Sequence, residues 1–375
     1  MAQRSRKKAQ PTQSLQNWSS STELVSLVFE AVPQDNATLF PQYTIGLHAW
    51  FLDQVRSIDP ELSAYLHDGE SEKPFTISGL EGNLLTQGRQ LQLIANSSYR
   101  WYVTALSSQV VQWMLLWVQN LPETLELRHA PLKIHSVNFA QKPTTYNQLV
   151  QDEPGKSVTL TFVTPTSFRR KGHHLPLPWP VNVFHSYLRR WNDFSGMPVE
   201  PEPFLAWVDE YTLITRHQLE SVKVAAGKKG SVTGFMGAIE FALSREAAQH
   251  PEWVQLFFAL GKLAPYCGTG HKTTFGLGQT RLGWLGAKDS TEIPSLSTQL
   301  AQRIAELTEI LMLQQKRTGG ERANSVCSTR ATILARHEFG ESLKAIATDL
   351  EMRYETVKTY AKLARQALIQ SHNGN

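Results

Sequence analysis

From residue 22 to residue 139 the chain alternates β-branched apolar runs with amphipathic stretches, and that order narrows the fold more than any other feature. Residues 22–32 carry Leu24, Val25, Leu27, Val28 and Phe29 and read as a first strand. Residues 42–58 space Ile45, Leu47, Phe51, Leu52 and Val55 as the apolar positions of a helix. A short helix over 60–66 begins on Pro60 behind Asp59, a good N-cap ahead of a proline. Strands follow near 75–78, 91–95 and 99–105, then a helix over 108–119 and a strand over 133–139. Strand–helix–strand–strand–helix–strand is the order of a ferredoxin-like sandwich. A similar order restarts with strand 157–162, helix 179–193, strand 232–243 and helix 252–263. The fold class is therefore α+β, with two ferredoxin-like domains in tandem over 21–145 and 146–285.

Between the last helix and the end of the second module lie four glycines, Gly268, Gly270, Gly276 and Gly278, around His271, Lys272, Thr273 and Thr274. Glycine lets backbone approach a ligand and take conformations closed to other residues. Clustered amides beside a lysine make a cradle for phosphate. The spacing is neither that of a nucleotide P-loop nor that of a dinucleotide fingerprint. Two readings stay open, a contact for a phosphate-rich partner or a glycine-rich turn between a helix and a strand. The alternation from Phe275 to Trp284 suits a strand after the loop.

The last ninety residues change character. Residues 286–325 hold two polar stretches around an amphipathic helix over 298–315, and 326–375 read as three helices, 329–339, 342–350 and 354–368. Ile346, Ala347, Leu350, Val357 and Tyr360 have the spacing of a helix-turn-helix core. The last helix would present Lys358, Lys362 and Arg365 to DNA or to a partner. Glu351 stands where glycine eases a left-handed turn, and Arg353 where a capping serine is common. The alternative is a plain helical bundle that docks on a protein.

A net charge of +4 and a pI near 8.9 permit nucleic acid as a partner without requiring it. Residues 167–174 supply Arg169, Arg170 and Lys171 with two histidines, a backbone-binding patch or a solvated loop. Arg189 and Arg190 precede Trp191 on the next helix, where the ring stacks on a base or fills the core. Lys223, Lys228 and Lys229 form a further basic segment. His67 ends a helix and Lys73 follows it, a pair fit to move protons and to steady phosphate charge, although a lone histidine is more often a cap. His48, mid-helix among apolar neighbours, reads by default as a core position. Cys267 and Cys327 form no disulfide framework or metal-ligand spacing, so no metal and no cofactor is expected. Residues 1–20 read as a basic disordered tail without a signal-peptide core, and no apolar run suits a membrane, so a reducing cytoplasm is expected.

These residues carry a resemblance. The form Gly-x-Gly-x-Lys-Thr-Thr-x-Gly-x-Gly at 268–278 resembles the glycine-rich loop of the CRISPR repeat-processing endoribonucleases of the RAMP superfamily. The stretch from Thr164 to Arg169 resembles that family's strand-end motif, ahead of the helix with Arg189, Arg190 and Trp191. Tyr43 with Gly46 and Leu47, then Tyr65, Leu66 and His67, then 73–78, resemble its N-terminal half. The likeness covers about 22–284 and leaves out the terminal helices.

The resemblance implies metal-independent cleavage of repeat RNA by an attacking 2′-hydroxyl, leaving a 2′,3′-cyclic phosphate and a 5′-hydroxyl. His67 matches the catalytic histidine and Lys73 the lysine that steadies the phosphate. A tyrosine completes the triad in some members; here that position is Ala49, with His48 beside it as the stand-in. Expected RNA contacts are the 268–278 loop, Lys272, Arg169, Arg170, Lys171, Arg189 and Arg190. The expected partners are repeat RNA, its processed product and the subunits of an effector complex. A non-cleaving RNA-binding subunit and a DNA-binding regulator remain as alternatives.

Overall fold

The computed structural model describes residues 18–40, 42–67, 72–87, 90–226, 230–285, 296–313 and 321–372. The basic start of the chain, Lys228 and Lys229 lie outside the described residues. Two compact units result, one built from 1–35, 42–82 and 95–291, the other from 36–41, 83–94 and 292–375.

The first unit begins with strand β1 (Leu24–Pro33) and helices α1 (Tyr43–Ile58) and α2 (Pro60–His67). Strands β2 (Phe75–Glu81) and β3 (Tyr99–Ala105), helix α3 (Ser108–Gln119) and strand β4 (Leu132–Thr144) follow. The sheet order is β2-β3-β1-β4, with Thr124–Leu125 added at the edge, and every pairing is antiparallel. Alternate residues of β1 and β3 explain the layering. Leu27, Phe29, Trp101 and Val103 are buried towards the helices, where Phe29 lies 5.1 Å from both Trp101 and Trp117. Ser26, Glu30, Thr104 and Arg100 occupy the other, polar face, where the Ser26 and Thr104 hydroxyls meet at 2.9 Å.

Strand β5 (Ser157–Thr166), helices α4 (Pro180–Phe194) and α5 (Pro201–Tyr211), strands β6 (Thr212–Ala226) and β7 (Gly230–Leu243), helix α6 (Pro251–Cys267) and strand β8 (Thr280–Leu282) repeat the plan. Their order is β6-β7-β5-β8, so each sheet places its fourth strand next to its first and its third next to its second. Both sandwiches are thus ferredoxin-like. Phe184, Tyr187, Trp191, Trp207 and Phe257 fill the second core, with Phe184 stacked on Phe257 at 4.2 Å.

Four readings are corrected. Ile45 is exposed, because Leu47, Trp50, Phe51 and Val55 form the apolar stripe of α1 and Ile45 falls outside it. The 91–95 stretch is Gln90–Leu93, and it joins Ala37–Leu39 and Leu85–Gln87 in a separate three-stranded sheet. The strand expected from Phe275 shrinks to β8, since Thr273–Phe275 is a 3-10 turn. The second polar stretch of 286–325 is helical from 321 onward.

The second unit also holds α7 (Leu296–Leu313), α8 (Glu321–Glu338), α9 (Leu343–Asp349) and α10 (Tyr354–His372). Among the described residues no helix is long and apolar enough to cross a membrane.

Candidate active site and nucleic-acid interface

Asp59 starts α2 by accepting a hydrogen bond from the Leu62 amide at 2.9 Å, and the helix delivers His67, exposed, at its last position. Lys73 stands two residues before β2, with its Nζ atom buried and without a hydrogen-bond partner among the described residues. A buried ammonium without an acceptor is costly, and an incoming anion is what would satisfy it. His48, from α1, stacks on Phe275 at 4.4 Å with the rings 20° apart. Burial pushes the His48 imidazole down to about 4, and the charges of His67 and Lys73 push it the same way. His48, His67 and Lys73 therefore share one neighbourhood, which the sequence alone did not establish. Ala49 is exposed and has no hydroxyl to offer.

Lys73 lines a cleft of about 820 Å³ together with Tyr65, Glu72, Arg189, His271 and Lys272. The cleft spans both sandwiches of the first unit. Across it Arg189 from α4 reaches Glu72 at 3.0 Å. A second hollow of about 320 Å³ lies on the polar sheet face, but its main cation, Arg281, is already paired with Glu81 at 2.6 and 2.7 Å. The larger cleft is the one with basic groups to spare.

The glycine loop is mostly interior. The amides of Gly268, Thr269, Gly270, His271, Phe275, Gly276, Leu277 and Gly278 all donate within the fold, so the expected phosphate cradle is largely spent on structure. Gly276 donates to the Ile77 carbonyl of β2 and Gly278 to the Pro165 carbonyl of β5. Gly270 and Gly278 have φ of 77° and 71°, and a Cβ there would sit 2.4 Å from the Ser167 carbonyl oxygen and 2.0 Å from that of Thr269. Only glycine fits either position. Thr273 and Thr274 are buried as well. Of the loop's expected contacts, Lys272 and His271 are the ones whose side chains line the cleft without being buried. Burial, then the charge of Lys272, holds His271 down at about 4, with His174, Arg169 and Arg189 adding to the effect.

Arg190, expected on RNA, is corrected. It is 4% exposed. Its guanidinium donates to the Ser186 carbonyl (2.8 Å) and hydroxyl (3.0 Å), the Gly270 carbonyl (3.3 Å) and the Thr273 hydroxyl (3.4 Å). It also lies 3.7 Å from Glu72. Arg190 thus ties α4 to the glycine loop. Trp191 is likewise core, donating its indole N–H to the Met197 carbonyl at 2.9 Å. Arg169 and Lys171 are exposed on a hairpin pairing Phe168–Arg170 with His173–Leu175, whose turn uses Lys171 and Gly172 at φ 44° and 84°. The Arg170 side chain lies outside the described residues. Glu72 and Phe275 were missed, because neither the packing partner of one nor the ion pairs of the other leave a local signal. On α10, in the other unit, Lys358, Lys362 and Arg365 are exposed. No group of three or more potential ligands for a metal occurs among the described residues.

The family model described as CRISPR-associated endoribonuclease Cas6 matches residues 160–280, and the one for the CRISPR Cas6 N-terminal domain matches 24–150. The CRISPR-associated endoribonuclease Cas6 of Streptococcus thermophilus is 21% identical over 239 residues, 64% of this chain and 90% of that protein. A solved Cas6 product complex shares 28% identity at a TM-score of 0.53, covering 69% of this chain and 99% of that one. A Cas6 substrate mimic complex shares 26% at a TM-score of 0.52, covering 70% and 100%. A Thermus thermophilus Cas6 product complex, 24% identical with a TM-score of 0.57 and covering 69% and 100%, shows the same fold.

Proposed function

Because this chain belongs to the CRISPR-associated endoribonuclease Cas6 family, we propose that it cuts CRISPR repeat RNA at the cleft that Lys73 lines, with His48 and His67 beside it. The observation that carries this reading is Lys73, whose buried ammonium has no acceptor among the described residues. A scissile phosphate supplies that acceptor, and the attraction grows as charge builds on the phosphorane.

In the reaction the upstream 2′-hydroxyl attacks the adjacent phosphorus, the O2′–P bond forms and the P–O5′ bond breaks. One proton leaves the 2′-hydroxyl and one arrives at O5′, giving a 2′,3′-cyclic phosphate and a 5′-hydroxyl. His67, exposed at the end of α2, transfers protons. His48 stays uncharged at neutral pH. It therefore takes the hydrogen-bonding place of a hydroxyl at the substrate without adding a second positive charge beside Lys73. Proton transfer and a fixed cation are what transesterification needs, and these side chains supply both without a metal.

Lys272, Arg189, Arg169 and Lys171 offer cations to RNA phosphates along and beside the cleft. A-form RNA hides its base edges in a deep groove, so selection rests on hairpin shape and single-stranded flanks. A Cas6 product complex among the similar structures supports retention of the cut RNA, which suits its delivery to an effector complex. Labelled repeat RNA incubated in EDTA with the wild type and His67→Ala tests the proposal. A discrete cut by the wild type alone, ending in a cyclic phosphate, is expected. Tight binding without a cut in either protein would leave only an RNA-binding subunit, the reading favoured by Ala49.

A further inference from the structure

The terminal helices bear on none of the chemistry above, yet they are built with care. Helix α9 is locked at both ends by one residue of α8: Arg336 donates to Glu341 before α9 (2.7 Å) and to Asp349 at its end (2.6 Å). Ser342 caps α9 by accepting from the Ala345 amide at 3.1 Å. The turn into α10 passes through Glu351 at φ 51°, closed by the Met352 amide donating to the Ala347 carbonyl at 2.9 Å. Ile333, Ile346, Ala347, Val357 and Ala361 bury together, with the small Ala347 between α9 and α10. Ala364 enters a second cluster with Leu307 and Leu334. One face of α10 is thereby consumed.

The opposite face is not. Lys358, Lys362 and Arg365 are exposed there at spacings of four and three, so they form one stripe. Thr359 and Gln366 lie exposed beside them. Lys358 has an ion-pair contact, with Glu355 at 3.8 Å, but both side chains are largely solvated and such pairs exchange readily. The combination is a rigid helix-turn-helix whose last helix shows a basic, hydrogen-bonding face.

We propose that this unit binds B-form duplex DNA, with the Lys358, Lys362 and Arg365 face of α10 entering the major groove. An α-helix with side chains is about 10–12 Å across and the B-form major groove is about 12 Å wide, so the two fit. The deep, narrow major groove of A-form RNA does not admit a helix, which separates this site from the RNA cleft. A protein partner fits less well, because the three cations dominate the stripe and the exposed Tyr354 and Leu363 flank it singly, without forming the apolar centre of a protein interface. Phosphates attract the three cations, and Thr359 and Gln366 add donors and acceptors of the kind that read base edges.

The test uses the full-length chain in a selection from random DNA duplexes, followed by titrations across salt concentration. The wild type is expected to enrich a short motif. The triple variant K358A/K362A/R365A is expected to lose at least about tenfold in affinity and up to about three units of salt slope. Its binding of repeat RNA stays unchanged, which distinguishes failure here from failure of the RNA-cutting reading. Since all three positions are exposed, the folded state is preserved, and Lys358→Ala alone gives a graded loss. No enriched duplex would assign the face to a protein and overturn the proposal. Duplex binding that survives the triple variant, or that double-stranded RNA competes equally, would overturn it too.

Discussion

Replacing Arg190 by methionine separates a structural arginine from an RNA-binding one. The guanidinium is 4% exposed and holds Ser186, Gly270 and Thr273 while facing Glu72 at 3.7 Å. Methionine keeps most of the volume and removes every one of these bonds. Glu72 loses a cation but keeps Arg189 at 3.0 Å, so its charge is not stranded. The Gly270 carbonyl and the Thr273 hydroxyl lose their donor from Arg190. Leaving these buried acceptors without their charged donor costs about 1–3 kcal/mol each, or about 3–5 kcal/mol together. For a unit of this size each kcal/mol moves the melting temperature by about 2–4 °C, so a drop of roughly 10 °C is expected. Arg190→Lys recovers less than half of it, because an ammonium cannot span the same acceptors as a planar fork. The assay pairs thermal unfolding with repeat-RNA affinity measured well below the new midpoint. A melting point within about 1 °C of the wild type, coupled to a tenfold weaker affinity, would refute the reasoning and return Arg190 to the RNA.

Four further outcomes are expected. Lys73→Met should slow single-turnover cleavage about 10²–10³-fold, as removal of one charge-stabilising group does, and an unchanged rate would take Lys73 out of the chemistry. Lys272→Ala should weaken RNA binding and lower the salt slope by about one, which titration at several ionic strengths reads directly. His48 and His271, held neutral at about 4, bind their protons in the unfolded chain first, near 6.5, so their share of the stability is complete above that pH and is lost as pH falls towards 4; urea unfolding of His48→Phe should show a shallower decline over that window. Glu351→Gly, by relieving a left-handed residue at φ 51°, should raise the stability of the terminal helices by about 1 kcal/mol, seen as a higher urea midpoint.

The sandwiches were legible because their buried faces alternate locally, as in β1, where Leu27 and Phe29 point inward and Glu30 does not. Strand β6 was not, since among the described residues it pairs only with β7 and carries Arg216, His217, Gln218 and Lys223 on an exposed edge without an apolar stripe. Arg190 was half legible. Val183, Tyr187 and Arg190 follow one another at spacings of four and three on the buried stripe of α4, so helical phase alone sends Arg190 inward and Arg189 outward. The basic character of the run hid that phase. Neighbourhood was beyond the sequence: His48 and Phe275 lie more than two hundred residues apart, and only the fold stacks them. The glycines declared a special backbone but not its direction, which turned out to be inward to both sheets.

That inward turn has a mechanical consequence. The loop is bonded to β2 through Gly276 and to β5 through Gly278, and Arg281 adds a paired contact to Glu81. The two sandwiches are therefore stitched along one seam rather than hinged. Lys73 stands on one bank of the cleft and Lys272 on the other, at a separation the seam sets beforehand. On the proposed reading such a cleft would work as a fixed gauge, and an RNA whose phosphates fall out of step with the two banks would gain one cation instead of two.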